Sequence, residues 1–377
     1  MAAQTVAQSR PLTQSSAARQ GARVFENEGI RVQSMETCLL CGRQGQPLYT
    51  GLRDRLFDAP GIWDLLRCGD CGLIWLNPQP ILEDIPKLYK TYFTHQKGNG
   101  APGPPRLGRK MREAIRATSL GYDELLPGRS WHWIGRAASL IPLLRHMAVA
   151  SLMFLDAPSR GKLLDVGCGN GEFLVTMRGL GWDVQGVEAD PEAAGLAREK
   201  HGLPVLTGTL EDADLPAASF DAITMQHVIE HLPNPVTSLT HCGRLLKEGG
   251  KLIVITPCSE SLGHRAFRRS WFPLDPPRHL HLFSPQTLNW ATRRAKMEVR
   301  ILGTISRASR ESYVNSSLIR HAGRIECYGN RGYGRLLRLG AWAFCALEEG
   351  VRLFSPGRGE ELLLVARKPV ESNRMGR

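Results

Sequence analysis

Four cysteines stand in two CxxC pairs, Cys38/Cys41 and Cys68/Cys71, with 26 residues between the pairs. Two such turns can set four thiolates tetrahedrally around zinc, and Gly42 and Gly72 follow each pair, where a knuckle turn needs a small residue. With all four positions filled by cysteine the zinc is structural, with no open position for catalysis. A redox dithiol pair or a cluster site are the alternatives.

The second chemical signature is "KLLDVGCGNGEFL", residues 162–174, an apolar run that meets Gly167, Gly169 and Gly171 and then opens a helical pattern. A dinucleotide fingerprint, GxGxxG, would put its third glycine at 172 or 174, where Glu172 and Leu174 stand. A P-loop would continue into Gly-Lys-Ser/Thr, and none follows. A pyrophosphate ligand therefore finds no support. Asp165, at the head of the turn, would repel phosphate and attract an ammonium. Glu188, 23 residues on, ends the next apolar run and can accept both hydroxyls of a ribose. An acid, a tight turn and a second acid suit a cationic nucleoside amino acid.

The third signature is histidine. His227, Glu230 and His231 lie in "HVIEHL", and His279 and His281 in "PPRHLHLFSP". A neutral histidine near pH 7 can take a proton from an attacking group. His231 and His281 are the expected bases, with His227 and Glu230 as further catalytic candidates.

These residues need elements to position them. Short apolar runs at 163–166, 183–188, 203–208, 220–226, 251–257, 299–304 and 360–368 read as strands. Helical patterns at 171–180, 191–201, 235–247 and 284–296 fall between them, the third ended by Gly249-Gly250. That alternation predicts an α/β fold, a mostly parallel sheet with helices on both faces. The chemical residues then sit at the carboxyl ends of strands, where open α/β sheets bind ligands.

In this order the segments resemble the class I S-adenosylmethionine-dependent methyltransferases. "LLDVGCGNGEFL" looks like the first motif of that family and "VQGVEAD" like the second; "LTGTLEDADLPAASFDAITMQHVIEHLPNP" looks like the third and fourth. The nearest branch includes the ubiquinone-biosynthesis-type O-methyltransferases. The resemblance implies a Rossmann-like seven-stranded sheet preceded by a small zinc ribbon, and S-adenosyl-L-methionine as cofactor. It implies Asp165 near the methionine ammonium, Gly167, Cys168, Gly169, Asn170 and Gly171 in the turn, and Glu188 on the ribose. Ala189 flanks the adenine, Gln226 the methionine part, and Leu210 gives a backbone and apolar contact. Thr209 stands where the family often has an Asp that reads the adenine amino group. Some members hold a divalent metal through Glu-x-x-Glu-His; His227 replaces the first Glu here, leaving His227, Glu230 and His231 as a candidate set. The cysteine segment, with "GLIWLNPQP" and "LYKTYF", resembles the zinc-binding domain of some bacterial methyltransferases, including sugar C-methyltransferases. Those enzymes carry Tyr-His-Glu-His where this chain has Arg278, His279, Leu280 and His281.

The implied organisation is a disordered tail (1–30), a four-cysteine zinc-binding domain (31–95), a linker and helical region (96–160), and the methyltransferase domain (161–304 and 359–370) with a helical insertion (305–358). The tail has no apolar signal region, though three arginines before Glu26 leave a transit peptide open. The run 137–155 carries Pro142, Arg145 and His146, which argues against a membrane span and for a buried or interfacial helix. Nine cysteines, an odd and scattered set, point to a reducing, cytoplasmic setting. The formal charge of +12 fits acidic partners or simply an arginine-rich surface. Methyl transfer to a small molecule or glycan, at O or C, is the leading reading. RNA methylation and a non-catalytic cofactor-binding scaffold are the alternatives. The amphipathic pattern near 336–354 reads as a packing helix, a substrate lid or a peripheral membrane contact.

Overall fold

The computed structural model describes residues 24–89, 106–325 and 334–370. Most of the expected tail and most of the glycine- and proline-rich stretch 97–108 lie outside them. Residues 24–30 do not belong to a tail. Val24–Asn27 (β1) and Ile30–Gln33 (β2) form an antiparallel hairpin, because alternate residues Ile30 and Val32 are buried while Arg31 faces out. Gly45–Leu52 (β3), Trp63–Cys68 (β4) and Ile74–Asn77 (β5) make a meander, and Gln79–Pro80 (β6) pairs with β2.

Three helices precede the large sheet: Arg106–Leu120 (α1), Arg129–Ser139 (α2) and Pro142–Val149 (α3). The single helix expected over 137–155 is broken. Pro142 has no amide to donate and opens a new helix at its first turn, leaving Leu140 and Ile141 as an exposed elbow.

The large sheet contains Lys162–Val166 (β7), Asp183–Glu188 (β8), Val205–Thr207 (β9), Phe220–Gln226 (β10) and Leu246–Pro257 (β11), all parallel. Glu298–Ile305 (β13) and Glu361–Arg367 (β14) complete it, with β14 antiparallel to both neighbours. The order is β13-β14-β11-β10-β7-β8-β9, the expected seven-stranded, mostly parallel sheet. Its strands read as unbroken apolar runs, such as Leu252 to Ile255, because helices cover both faces. Those helices include Glu172–Gly179 (α4), Pro191–His201 (α5), Pro235–Leu245 (α6), Leu262–Phe267 (α7) and Pro285–Arg294 (α8). Asp190 caps α5 by accepting from the Glu192 amide, and Asn234 caps α6 through Thr237. The strand order reverses between β7 and β10, so their carboxyl ends flank the crevice where such sheets bind ligands.

The glycine pair at 249–250 does not end a helix. Helix α6 stops at Leu245, and β11 begins at once, pairing Leu246 with Phe220. The next pair is Ala222 with Lys251, so the intervening glycines absorb a bulge.

The cysteine module is fused to the sheet domain. His281–Leu282 (β12) pairs antiparallel with β5, giving a four-stranded sheet β12-β5-β4-β3. Leu40, Leu66 and Trp75 of the module share one apolar core with Leu164, Phe220 and Phe283. Arg278 is the polar tie. Its guanidinium is fully buried and donates to both Asp54 carboxylate oxygens, at 2.7 and 2.8 Å, and to Asp275 at 3.1 Å. Replacing Arg278 with Met would strand two buried carboxylates, with an expected cost of about 3–5 kcal/mol. The readout is the urea unfolding midpoint, and one equal to the parent's would show that this tie contributes nothing.

Candidate active site

Asp165 is buried next to the end of β7 and accepts a 2.7 Å hydrogen bond from Thr224 on β10. Burial pushes its carboxyl up to about 7, the Thr224 hydroxyl pulls it down, and the Glu188 charge raises it again. Glu188, at the end of β8, accepts from the Gly169 amide at 2.7 Å and the Asp190 amide at 2.9 Å. It therefore holds the glycine turn while facing it. Burial raises this carboxyl too. Among the described residues neither acid has an ion-pair partner. Two acids without an ion-pair partner at a strand-end crevice are an arrangement that suits a cation.

All three glycines hold positive φ, +70, +54 and +82, which L side chains rarely adopt. A Cβ at Gly167 would come within 2.5 Å of Val228, and one at Gly171 within 2.4 Å of Leu203. Gly169 has φ +54 and open space where a Cβ would point, which leaves room for a ligand beside Glu188. Asn170 accepts from the Glu172 amide at 3.3 Å and so starts α4, and Cys168 is buried beneath the turn. Ala189, Thr209 and Gln226 lie at the strand ends, and Leu210 is buried below them. The Thr209 hydroxyl donates to Asp212 at 2.7 Å, so a carboxylate stands one turn beyond the position where the family's Asp was expected.

The histidines divide by role. His227 has φ +54, and its Nε2 lies 2.9 Å from Glu361 and 3.0 Å from Arg307, while Nδ1 lies 3.3 Å from Glu230. Burial opposes its charge, but the Glu230 and Glu361 carboxylates outweigh burial and set the ring at about 9. A ring with that affinity for its proton ties strands together and is a poor acceptor at neutral pH. Glu230 is fully buried between His227 and the Thr256 hydroxyl, which donates at 2.8 Å.

His231, His279 and His281 share one device. Each ring directs Nδ1 at a backbone carbonyl: Arg278 at 3.0 Å, Pro273 at 2.7 Å and Leu232 at 3.2 Å respectively. A carbonyl only accepts, so Nδ1 carries the proton, and in the neutral ring the lone pair is on Nε2. Burial and the neighbouring His279 hold His231 down at about 4, so it is neutral at pH 7. Tyr89, from the cysteine module, places its hydroxyl 3.1 Å from His231 Nδ1. The ligand atoms of Glu230, His231 and His279 lie within 4.8 Å of one another. His279 thus takes the place in this cluster expected for His227, which turns to Glu361 instead.

Residues 136–300 match a family described as a methyltransferase domain. Over that span the chain carries a methyltransferase domain. The ubiquinone biosynthesis O-methyltransferase of Xanthomonas oryzae pv. oryzae (strain PXO99A) is 39% identical over 102 residues, 25% of this chain and 42% of that protein. The same enzyme of Cereibacter sphaeroides (strain ATCC 17025) is 39% identical over 100 residues, covering 25% and 40%. The chain spans less than half the length of these curated relatives. Among solved structures, a SAM-dependent methyltransferase from Thermotoga maritima aligns over 68% of this chain and 99% of that one, at 22% identity and TM-score 0.39.

S-adenosylmethionine is the cofactor of a methyltransferase domain of this kind, and the acid pair with the open glycine turn fits its cationic amino acid and ribose. In the N-terminal module, Cys38, Cys41, Cys68 and Cys71 form a cluster that fits a structural zinc ion. Cys38 and Cys71 sulfurs lie 3.5 Å apart, Cys41 and Cys68 3.3 Å, and Cys41 and Cys71 3.9 Å. A tetrahedron of Zn–S bonds near 2.3 Å has edges of about 3.8 Å, so the thiols stand close to ligand distance. The two knuckles repeat each other: Gly42 and Gly72 amides donate to the Cys38 and Cys68 carbonyls, and both glycines have positive φ.

Three participants were not legible from sequence as site residues. Arg307 and Glu361 reach His227 from 80 and 134 positions away, with no local pattern to mark them. Of these, Tyr89 carried a usable signal, its place in "LYKTYF" within the cysteine module.

Proposed function

We propose that the chain transfers a methyl group from S-adenosylmethionine to an oxygen or carbon of a small-molecule or glycan acceptor. The acid pair Asp165 and Glu188 at the β7/β10 crevice carries this reading, since it suits a cationic nucleoside amino acid and no phosphate. The names of the matching relatives support a small-molecule acceptor. Bound S-adenosylmethionine supplies a sulfonium methyl that needs no further activation. The remaining work falls to this chain: orienting the acceptor and removing its proton.

His231 is the proposed proton acceptor through Nε2, and His281 is the second candidate with the same tautomer. The Arg278 carbonyl fixes the His231 ring, and Tyr89 braces it from the zinc module. Glu230 and His227 position the loop that carries it. Incubation with S-adenosylmethionine and an acceptor panel of catechols, phenols and nucleotide sugars, read as S-adenosylhomocysteine, tests the reading. His231→Asn is expected to lower turnover by about 100-fold or more with cofactor affinity unchanged. Full turnover in that variant would transfer the role to His281. Cofactor binding without product from any acceptor would favour a scaffold.

A further inference from the structure

Beyond β13 the chain forms Ser309–Ala322 (α9) and Arg335–Phe354 (α10), the helices of the expected insertion. Both are fastened to one short stretch, the start of β14. Arg307, just before α9, donates to Glu361 at 2.6 and 3.2 Å, and the Ala308 amide donates to the same carboxylate at 3.2 Å. Glu348, on α10, accepts from the Glu360 amide at 3.0 Å. Glu361 pairs in turn with Pro257, the last residue of β11. The insertion is therefore held at the carboxyl edge of the parallel strands, the edge that carries the crevice.

The two fastenings differ in charge. Glu361 faces the cations of Arg307 and His227. Glu348 and Glu360 are 0% and 1% exposed, and among the described residues neither has an ion-pair partner. Glu348 Oε2 and Glu360 Oε2 are buried with no hydrogen-bond partner among those residues. Glu360 Oε1 accepts from the Trp271 indole and the Ser312 hydroxyl. The cationic groups nearby are engaged elsewhere. Arg352 pairs with Glu349 at 2.9 Å, and Arg310 lies over the Trp342 ring. His264, stacked on Trp271, directs its nitrogens at the Ser259 carbonyl and the Tyr49 hydroxyl. Burial raises both carboxyls, and the Glu360 charge raises Glu348 further, against weaker pulls from the Ser309 hydroxyl and Arg352. On Glu360 the Ser312, Trp271 and Ser261 donors pull down, and the Glu361 charge pushes up.

Two buried carboxylates side by side, with no cation between them, do not both carry charge. One retained proton removes the repulsion and turns one of the two acids into a donor. We propose that Glu348 and Glu360 share a proton that latches α10 to the start of β14, and that giving up this proton to solvent frees α10 from the carboxyl edge of the sheet. An exposed carboxyl ionises in the ordinary acidic range, so undocking releases a proton that the docked pair retains. Rising pH therefore favours undocking from that range upward, until the docked pair itself ionises. This inference stands apart from the acceptor and from the histidine roles.

The test is hydrogen exchange of the full chain, read as protection factors for amides 341–351 between about pH 5.5 and about pH 7.5. Protection is expected to fall by about tenfold per pH unit for one released proton, while amides of β10 and β11 keep theirs. Glu348→Gln still accepts from the Glu360 amide but carries no charge. It should raise α10 protection at the upper pH by at least about tenfold and make the slope shallower. Adding Glu360→Gln should remove the slope. Glu349→Gln alters an acid paired outside the latch and should keep it. Protection that is flat with pH in the parent overturns the proposal, as does an unaltered slope in Glu348→Gln or in the double variant. Equal loss of the slope in Glu349→Gln also overturns it. So does a slope of the same size in β10 and β11, because the whole domain would then be opening.

Discussion

Asp165→Ala is expected to weaken S-adenosylmethionine binding by about 100-fold or more in calorimetry, since charge-assisted hydrogen bonding of ~3 kcal/mol goes with the carboxylate. The pH dependence makes the test sharper. Burial holds the empty site's Asp165 up at about 7, so near neutrality much of it is protonated. Only the ionised form holds an ammonium, and binding must therefore release a proton below pH 7. Affinity should fall as pH drops through 7, by up to tenfold per unit. The observed heat should depend on the buffer's ionisation enthalpy at pH 6, where binding releases the Asp165 proton. Stability runs the opposite way. A carboxyl with a raised folded pKa contributes stability that is present below its unfolded value and lost as pH rises through about 7. Asp165→Asn should therefore lose binding yet melt higher than the parent at pH 8 without cofactor. Unchanged affinity in either variant would remove Asp165 from the site.

Removing the zinc should have the largest structural effect. Structural zinc contributes an apparent ~10–16 kcal/mol to the folding of small Cys-ligated modules. The purified chain should contain about one zinc. Cys38→Ser or Cys68→Ser should lose it and open residues 38–71 to limited proteolysis. Because β12 pairs with β5, and Tyr89 and Asp54 reach His231 and Arg278, the damage should spread to the histidine loop. Turnover should collapse while S-adenosylmethionine affinity stays within a few-fold, since Asp165 and Glu188 sit on β7 and β8. A protein that is metal-free and protease-resistant over 38–71 would end the zinc assignment.

What could be read in advance was what local pattern encodes. Buried parallel strands appear as short apolar runs, the register of Gly167, Gly169 and Gly171 separates one nucleotide class from another, and paired CxxC turns announce a metal. Local pattern misled where one residue type serves two ends. Gly249-Gly250 looks like a helix stop but fills a bulge against β10. Pro142 looked like an interruption within one helix but begins another. The contacts that shape the histidine loop were beyond reach because they are long-range: Arg278 meets Asp54 across 224 positions and Tyr89 meets His231 across 142. No window of sequence contains both partners.

The pairing of β12 with β5 also bears on how the chain is made. Strand β5 is complete once residue 77 has been synthesised, but its partner edge arrives about 200 residues later. At typical elongation rates that is roughly 10–40 s, during which an apolar edge carrying Ile74 and Leu76 waits unpaired. Zinc capture by the nascent cysteines would hold that module in register through the delay. Starving expressing cells of zinc should therefore shift the protein toward inclusion bodies during synthesis.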